Sequence, residues 1–172
     1  MKRYYILLVA ALLIFSSCEK ILVKEPTDKL SIEDLFKDVQ GAKTALAGSY
    51  KNMLEEFHYQ KNLMVYPEIL AGNIKFSKTT NLRLEDVYEA STDAQNSSMN
   101  ETYTGLYSEL NNVNNILKYT PTAQGSSADK AKIMAEAKCI RALLHFDLVR
   151  IFARPINFTS DGSHLGIALV LQ

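Results

Sequence analysis

The stretch IMAEAKCIRALLHFDLVRIF, Ile133 to Phe152, decides the fold. Ile133, Ala137, Ile140, Leu144, Leu148 and Ile151 recur in steps of three and four, the repeat of one face of an α-helix. GSSAD, Gly125 to Asp129, is a turn in front of it, and Ser127 is placed to cap the helix. The pattern predicts one continuous helix from Ala128 to Phe152. Its second half, ALLHFDLVRIF, is apolar on more than one side, which predicts burial among other helices. Arg141 and Asp147 sit on this apolar helix. Charges in such surroundings must be partnered, so a buried ion pair or a carbonyl cap between helices is expected there, ahead of a ligand contact. Cys139 reads as a small buried hydrophobe.

Working back along the chain, a second helix is expected from about Asn100 to Tyr119. Tyr103, Leu106, Tyr107, Leu110, Val113 and Leu117 share its apolar face, and Thr120-Pro121 ends it. Asn114 lies on that stripe and reads as a hydrogen-bonding core residue. Further back, Ser31 resembles an N-cap, with Glu33 and Asp34 suited to the first turn. Val39, Ala42, Leu46, Tyr50, Met53, Leu54 and Phe57 then form a helical stripe to about Tyr59, with a break expected near Asp38 to Gly41. Gly41 and Gly48 each cost about 1 kcal/mol against Ala, which is tolerable where helices must approach closely. Tyr50, Tyr103 and Tyr107 are expected in the core or between helices. A short helix is predicted over Asn62 to Leu70, ended at Gly72. From Asn73 to Asn100 the periodicity fades into a long structured loop, with a short strand expected around Leu82 to Tyr88. The fold class is therefore all-α. Paired helices with short turns point to a helical-repeat scaffold, although no strict sequence period is present.

The N-terminus has a different character. Lys2 and Arg3 precede the apolar run YYILLVAALLIF, Tyr4 to Phe15, which Ser16, Ser17 and Cys18 close. A basic start, a short apolar core and small residues make a secretory signal, and the run is short of the roughly 20 residues that span a bilayer. Cysteine directly after small residues resembles a bacterial lipobox, with Phe15 where Leu is usual. The reading is a signal peptide over residues 1–17, lipidation at Cys18, a charged Pro-containing tether over 18–30, and over 31–172 an N-terminal helical domain expected to be incomplete, the first piece of a longer protein. A lipidated cysteine anchors the chain to a membrane through acyl chains. Cys139 is then the one remaining cysteine, which excludes a disulfide framework and a cysteine-built metal site.

The domain residues also resemble a known family. The opening Gly41-Ala42 through Gly48-Ser49-Tyr50 is similar to its "GA…L.G.Y". Tyr103-Thr104-Gly105-Leu106-Tyr107 leading to Val113-Asn114-Asn115-Ile116-Leu117 is similar to its "W..LY..I..AN.IL", with Tyr103 in place of Trp. Ala135 to Arg150, AEAKCIRALLHFDLVR, is close to "GEAKFLRAYYYFDLVR". Cys18 and the apolar-acidic-Pro element Leu22 to Pro26 come first, and the motifs keep the family's order. Phe152-Ala153-Arg154-Pro155 departs from "FGDVP". These residues resemble the N-terminal part of a SusD/RagB-type outer-membrane lipoprotein of Bacteroidetes. The resemblance implies an all-α fold with TPR-like helix pairs. It implies a surface-exposed, lipid-anchored nutrient binder that serves a SusC-like TonB-dependent transporter. It implies binding of oligosaccharides or other nutrients, and it does not imply an enzyme. Members of the family are longer than this chain, and the apolar run GIALVLQ, Gly166 to Gln172, is expected to need a partner.

Two other classes compete with a nutrient binder. A TPR-like adaptor or chaperone lipoprotein on the periplasmic face would share the helices. A secreted enzyme would need a nucleophile with its base, or paired carboxylates in a cleft. His145 and Asp147 are two apart on a helix and face different ways. His58 and His164 have no motif around them. There is no HExxH and no phosphate-cradling glycine loop, so neither metal nor cofactor is expected. With 19 basic and 19 acidic residues, the chain lacks the basic excess that nucleic acid requires. A glycan site needs aromatic rings for sugar faces and amides or acids for hydroxyls. The loop offers Asn73, Phe76, Asn81 and Tyr88, which are the candidate ligand contacts.

Overall fold

The computed structural model describes residues 30–75 and 84–172. Cys18 with its signal, and the loop residues Phe76 and Asn81, lie outside that set. The described elements are helices: α1 (Ile32–Leu35), α2 (Val39–Asn52), α3 (Asn62–Leu70), α4 (Glu85–Tyr88), α5 (Ser97–Tyr119) and α6 (Ser127–Phe152). A 3-10 turn over Thr120–Thr122 follows α5 where Pro121 was expected to end it. No strand occurs among the described residues, so the class is all-α as the periodicity predicts. No helix among them is long and apolar enough to cross a membrane.

Side chains set the helix starts. Asp38 caps α2 by accepting the Gly41 N–H at 2.9 Å, so the segment breaks where expected. A Cβ at Gly41 would lie 1.6 Å from the Leu35 carbonyl oxygen, so glycine is what lets α1 fold against α2. Asn96 caps α5 through the Met99 N–H at 2.9 Å. Ser126 rather than Ser127 caps α6, accepting from Asp129 N at 3.4 Å.

The core forms where α5 and α6 pack together and α2 crosses both. Leu106, Leu110 and Val113 of α5 join Ala137, Leu144 and Leu148 of α6, all fully buried. Each buried leucine contributes about 1.5–3 kcal/mol. A smaller cluster of Tyr66, Ile69 and Val87 joins α3 to α4, with Met99 of α5 against it.

The structure corrects four expectations. First, α2 ends at Asn52, and turns carry the chain to Asn62. Leu54 is left 69% exposed, while Phe57 folds back so closely on Gly105 that a Cβ there would overlap its ring. Second, Glu85–Tyr88 is a helical turn, not a strand. Glu85 and Asp86 suit a helix N-terminus, and only Val87 is buried, so no two-residue alternation exists. Third, α6 buries a single stripe, because α2 and α5 cover one side of it; Phe146 stays 58% exposed. Fourth, Cys139 is exposed, lying about 200° round the helix from buried Ala137. Of the two alternatives open for Arg141, an ion pair or a carbonyl cap, the structure shows the second. The Arg141 Nη1 donates to Asn114 Oδ1 at 3.1 Å and to the Leu171 carbonyl at 3.2 Å.

That cap belongs to a set of bonds that hold the last residues against α5 and α6. Tyr107 Oη donates to the Ala168 carbonyl at 2.9 Å, and Asn114 Nδ2 to that of Val170 at 3.1 Å. Ile167 packs on the core, whereas Leu169 and Leu171 are exposed. The run GIALVLQ thus finds part of its cover within the chain.

Candidate functional site

Two polar-aromatic clusters flank the long helices. The first is closed. Asp147 is 1% exposed on the inner face of α6. Tyr59 Oη donates to its Oδ2 at 2.7 Å, and Arg150 Nη2 donates to its Oδ1 at 2.8 Å. His58, fully buried in the turn after α2, brings Nε2 to 3.7 Å from Oδ2, too far for a hydrogen bond. Burial pushes the Asp147 carboxyl up, but the neighbouring His58 and Tyr59 groups and the Arg150 charge outweigh it and hold the group below the usual carboxylate value. The Tyr59 hydroxyl is pushed up by burial and by its bond to Asp147. His145 faces elsewhere. Its Nδ1 lies 2.8 Å from the Arg141 carbonyl, and the Val170 N–H donates to Nε2 at 3.3 Å. The expected divergence of His145 and Asp147 is therefore present. The Asp147 cluster joins the 53–61 turns to α6 and serves the fold.

The second cluster is open. A groove of about 660 Å³ runs between the chain before α5 and the end of α6. Tyr103 and Phe152 line it, with Asp93, Asn100 and Arg154 around them. The Phe152 and Tyr103 rings meet edge to face at 5.2 Å, with an interplanar angle of 87°. Tyr107 backs Tyr103, with ring centroids 4.6 Å apart. Burial, and then the Tyr103 hydroxyl, push the Tyr107 hydroxyl up, and its bond to Ala168 fixes the ring that supports Tyr103. Tyr103 itself is 41% exposed, so its ring surface is available. Asp93 is held by accepting the Gln95 N–H at 2.9 Å, and the Arg154 guanidinium lies 5.0 Å over the Phe158 ring. Ring surface beside a carboxylate, an amide and a guanidinium is the chemistry that takes a sugar's apolar face and its hydroxyl rim.

Of the four loop candidates, two lie among the described residues. Asn73 is exposed and its Nδ2 donates to Glu68 Oε2 at 2.7 Å. Tyr88 ends α4 and is 41% exposed. Neither lines the groove. The helical turn that ends at Tyr88 is tied to the start of α5: Asp86 Oδ2 accepts from Asn96, the cap of α5, at 3.0 Å. The groove residues Tyr103, Phe152, Asp93, Asn100 and Arg154 were not candidates from sequence. Tyr103 carried a weak signal, an aromatic residue at the first position of the α5 stripe, shared by Tyr107 one turn on. Among the described residues no group of three or more His, Cys, Asp or Glu is placed to hold a metal ion.

No curated protein and no solved structure matches the chain. A family model described as SusD-like, "starch-binding associating with outer membrane", matches residues 23–167, which takes in helices α1 to α6 and the motifs at Gly41, Tyr103 and Ala135. The chain belongs to this SusD-like family.

Proposed function

We propose that this chain is a lipid-anchored outer-membrane protein that binds glycans at the cell surface and passes them to a SusC-like TonB-dependent transporter. The observation that carries the reading is the family match over residues 23–167. The groove at Tyr103 and Phe152 supports it with stacking surface and hydroxyl partners side by side. The loop from Asn73 to Tyr88 remains a proposed second source of contacts. The role is binding rather than catalysis, because the strongest His and Asp candidates are committed to structural bonds. Residues 1–17 act as the signal, 18–30 as the tether and 31–172 as a helical domain with TPR-like pairs.

The test has two arms. The Cys18→Ala variant should lose its place in the outer membrane, and the native mature N-terminus should carry the mass of a diacylated cysteine. An unmodified N-terminal peptide would remove the anchor from the account. Glycan binding is tested on a panel of starch-type and other oligosaccharides, with co-purification of a barrel transporter as the partner readout. Copies that recover no transporter and bind no glycan would favour an adaptor role.

A further inference from the structure

A second cleft lies between α1, α2 and the middle of α5, on residues the glycan groove does not use. It holds about 320 Å³. Leu35, Phe36 and Ile116 form an apolar wall, and Ser49, Asn52 and Asn112 supply polar groups. Behind the two amides sits Glu109, 2% exposed on α5. Its Oε2 accepts from Asn52 Nδ2 at 2.6 Å and from Asn112 Nδ2 at 3.0 Å. Its Oε1 has no hydrogen-bond partner among the described residues, and no Lys, Arg or His there reaches it as an ion pair. Ser49, also 2% exposed, lines the cleft with an Oγ that has no partner among the described residues.

Buried carboxylates are ordinarily neutralised by a cation or saturated with donors. Asp147, 1% exposed, has both. Glu109 has donors on one oxygen only. The bonds to Glu109 also set the character of the cleft. Each asparagine turns its Nδ2 to the carboxylate and so keeps its Oδ1 as an acceptor. Ser49 Oγ and the Asn115 amide can donate or accept, so the negative field on the polar side comes from the carboxylate behind it. An anion would be repelled. A neutral molecule would leave the charge without a counterpart. A donor-rich cation would bond the asparagine Oδ1 atoms and offset the carboxylate charge one layer behind them, and the apolar wall would cover its carbon body. We propose that this cleft binds a small molecule that carries a protonated primary amine on a compact apolar ring, with the amine directed to the Glu109 side.

The probes are cyclohexylammonium and its neutral counterpart cyclohexanol, titrated into the full chain by calorimetry near pH 7. The expected result is saturable binding of the amine, at least tenfold tighter than the alcohol. Glu109→Gln keeps the shape and removes the charge, and it should weaken the amine at least tenfold while oligosaccharide binding stays as in the parent. Gly48→Leu is the second variant. Gly48 lines the cleft and a Cβ there meets no atom within 4 Å, so a larger side chain can fill the space without displacing backbone. It should abolish amine binding in a protein that still melts cooperatively. Equal affinity for amine and alcohol, no saturable amine binding, or unchanged amine binding in folded Gly48→Leu would each overturn the proposal and leave a water-filled structural gap.

Discussion

The clusters at Asp147 and at Tyr103 use similar side chains to opposite ends. Both bring aromatic rings, a carboxylate and an arginine together near the carboxyl half of α6. Around Asp147 the carboxylate is buried and its oxygens are filled by Tyr59 and Arg150. Around Tyr103 the polar groups stand at the rim of an open groove and the ring is half exposed. A buried, saturated set stabilises one arrangement of the chain. An open set keeps its surface for a ligand. Residue type alone would not separate the two; burial and the filling of acceptors do.

Asp147 is the most sensitive position of the closed cluster. Asp147→Ala removes the acceptor that Tyr59 and Arg150 share, and should cost about 3 kcal/mol. That is the low end for a broken buried pair, because the Arg150 side chain is 43% exposed and can turn to water. Urea unfolding measures it, and a loss under about 1 kcal/mol would show the cluster to be incidental. Its pH dependence has a definite sign. The Asp147 carboxyl is held below its ordinary value, so its stabilising effect is present above about pH 4 and is lost as the pH falls through the folded value. The stability gap between parent and Asp147→Asn should be level at neutral pH and close in acid. A gap that widened in acid would reverse the assignment.

Tyr59→Phe is a finer probe, since it deletes one hydroxyl and keeps the ring. It should cost about 1–3 kcal/mol, the effect of an unmet bond at a buried carboxylate. The Tyr59 hydroxyl is raised, so its contribution is present below about pH 10 and lost as the pH climbs through the folded value. A variant as stable as the parent would place the main stabilisation on Arg150 alone. Smallest is Arg141→Ala, expected near 1 kcal/mol because the half-buried guanidinium bonds a neutral amide and a carbonyl rather than an acid. A loss as large as that of Asp147→Ala would mean that Arg141 has an acidic partner.

The helices were legible where one face is buried. The stripes of α5 and α6, the break at Asp38 and the stop at Gly72 all follow from spacing and cap chemistry. Asn114 was readable as a core hydrogen-bonder because it falls on a buried stripe. Cys139 and the far side of α6 were misread because an apolar composition does not say how many neighbours a helix has. Glu85–Tyr88 was misread because four residues carry too little periodicity to tell a turn of helix from a strand. The sites were less legible still. The Asp147 cluster joins Tyr59 to a residue 88 positions away, and the Tyr103 groove forms only when residues 92–94 meet the end of α6. Nothing local in the sequence marks either meeting. The loop candidates rested on composition alone, and that is why they did not lead to Tyr103.

The proposed division of roles gives glycan binding to the open cluster and stability to the closed one. Calorimetric titration of the parent and Tyr103→Ala with the tightest oligosaccharide of the panel tests it most directly, with urea unfolding of both alongside. Saturable binding to the parent is expected, at least tenfold weaker binding to Tyr103→Ala, and cooperative unfolding of both, with Tyr103→Ala less stable by about 1–2 kcal/mol for the two ring contacts it loses. Unchanged affinity in a folded Tyr103→Ala protein would contradict this division and move the glycan site away from this groove.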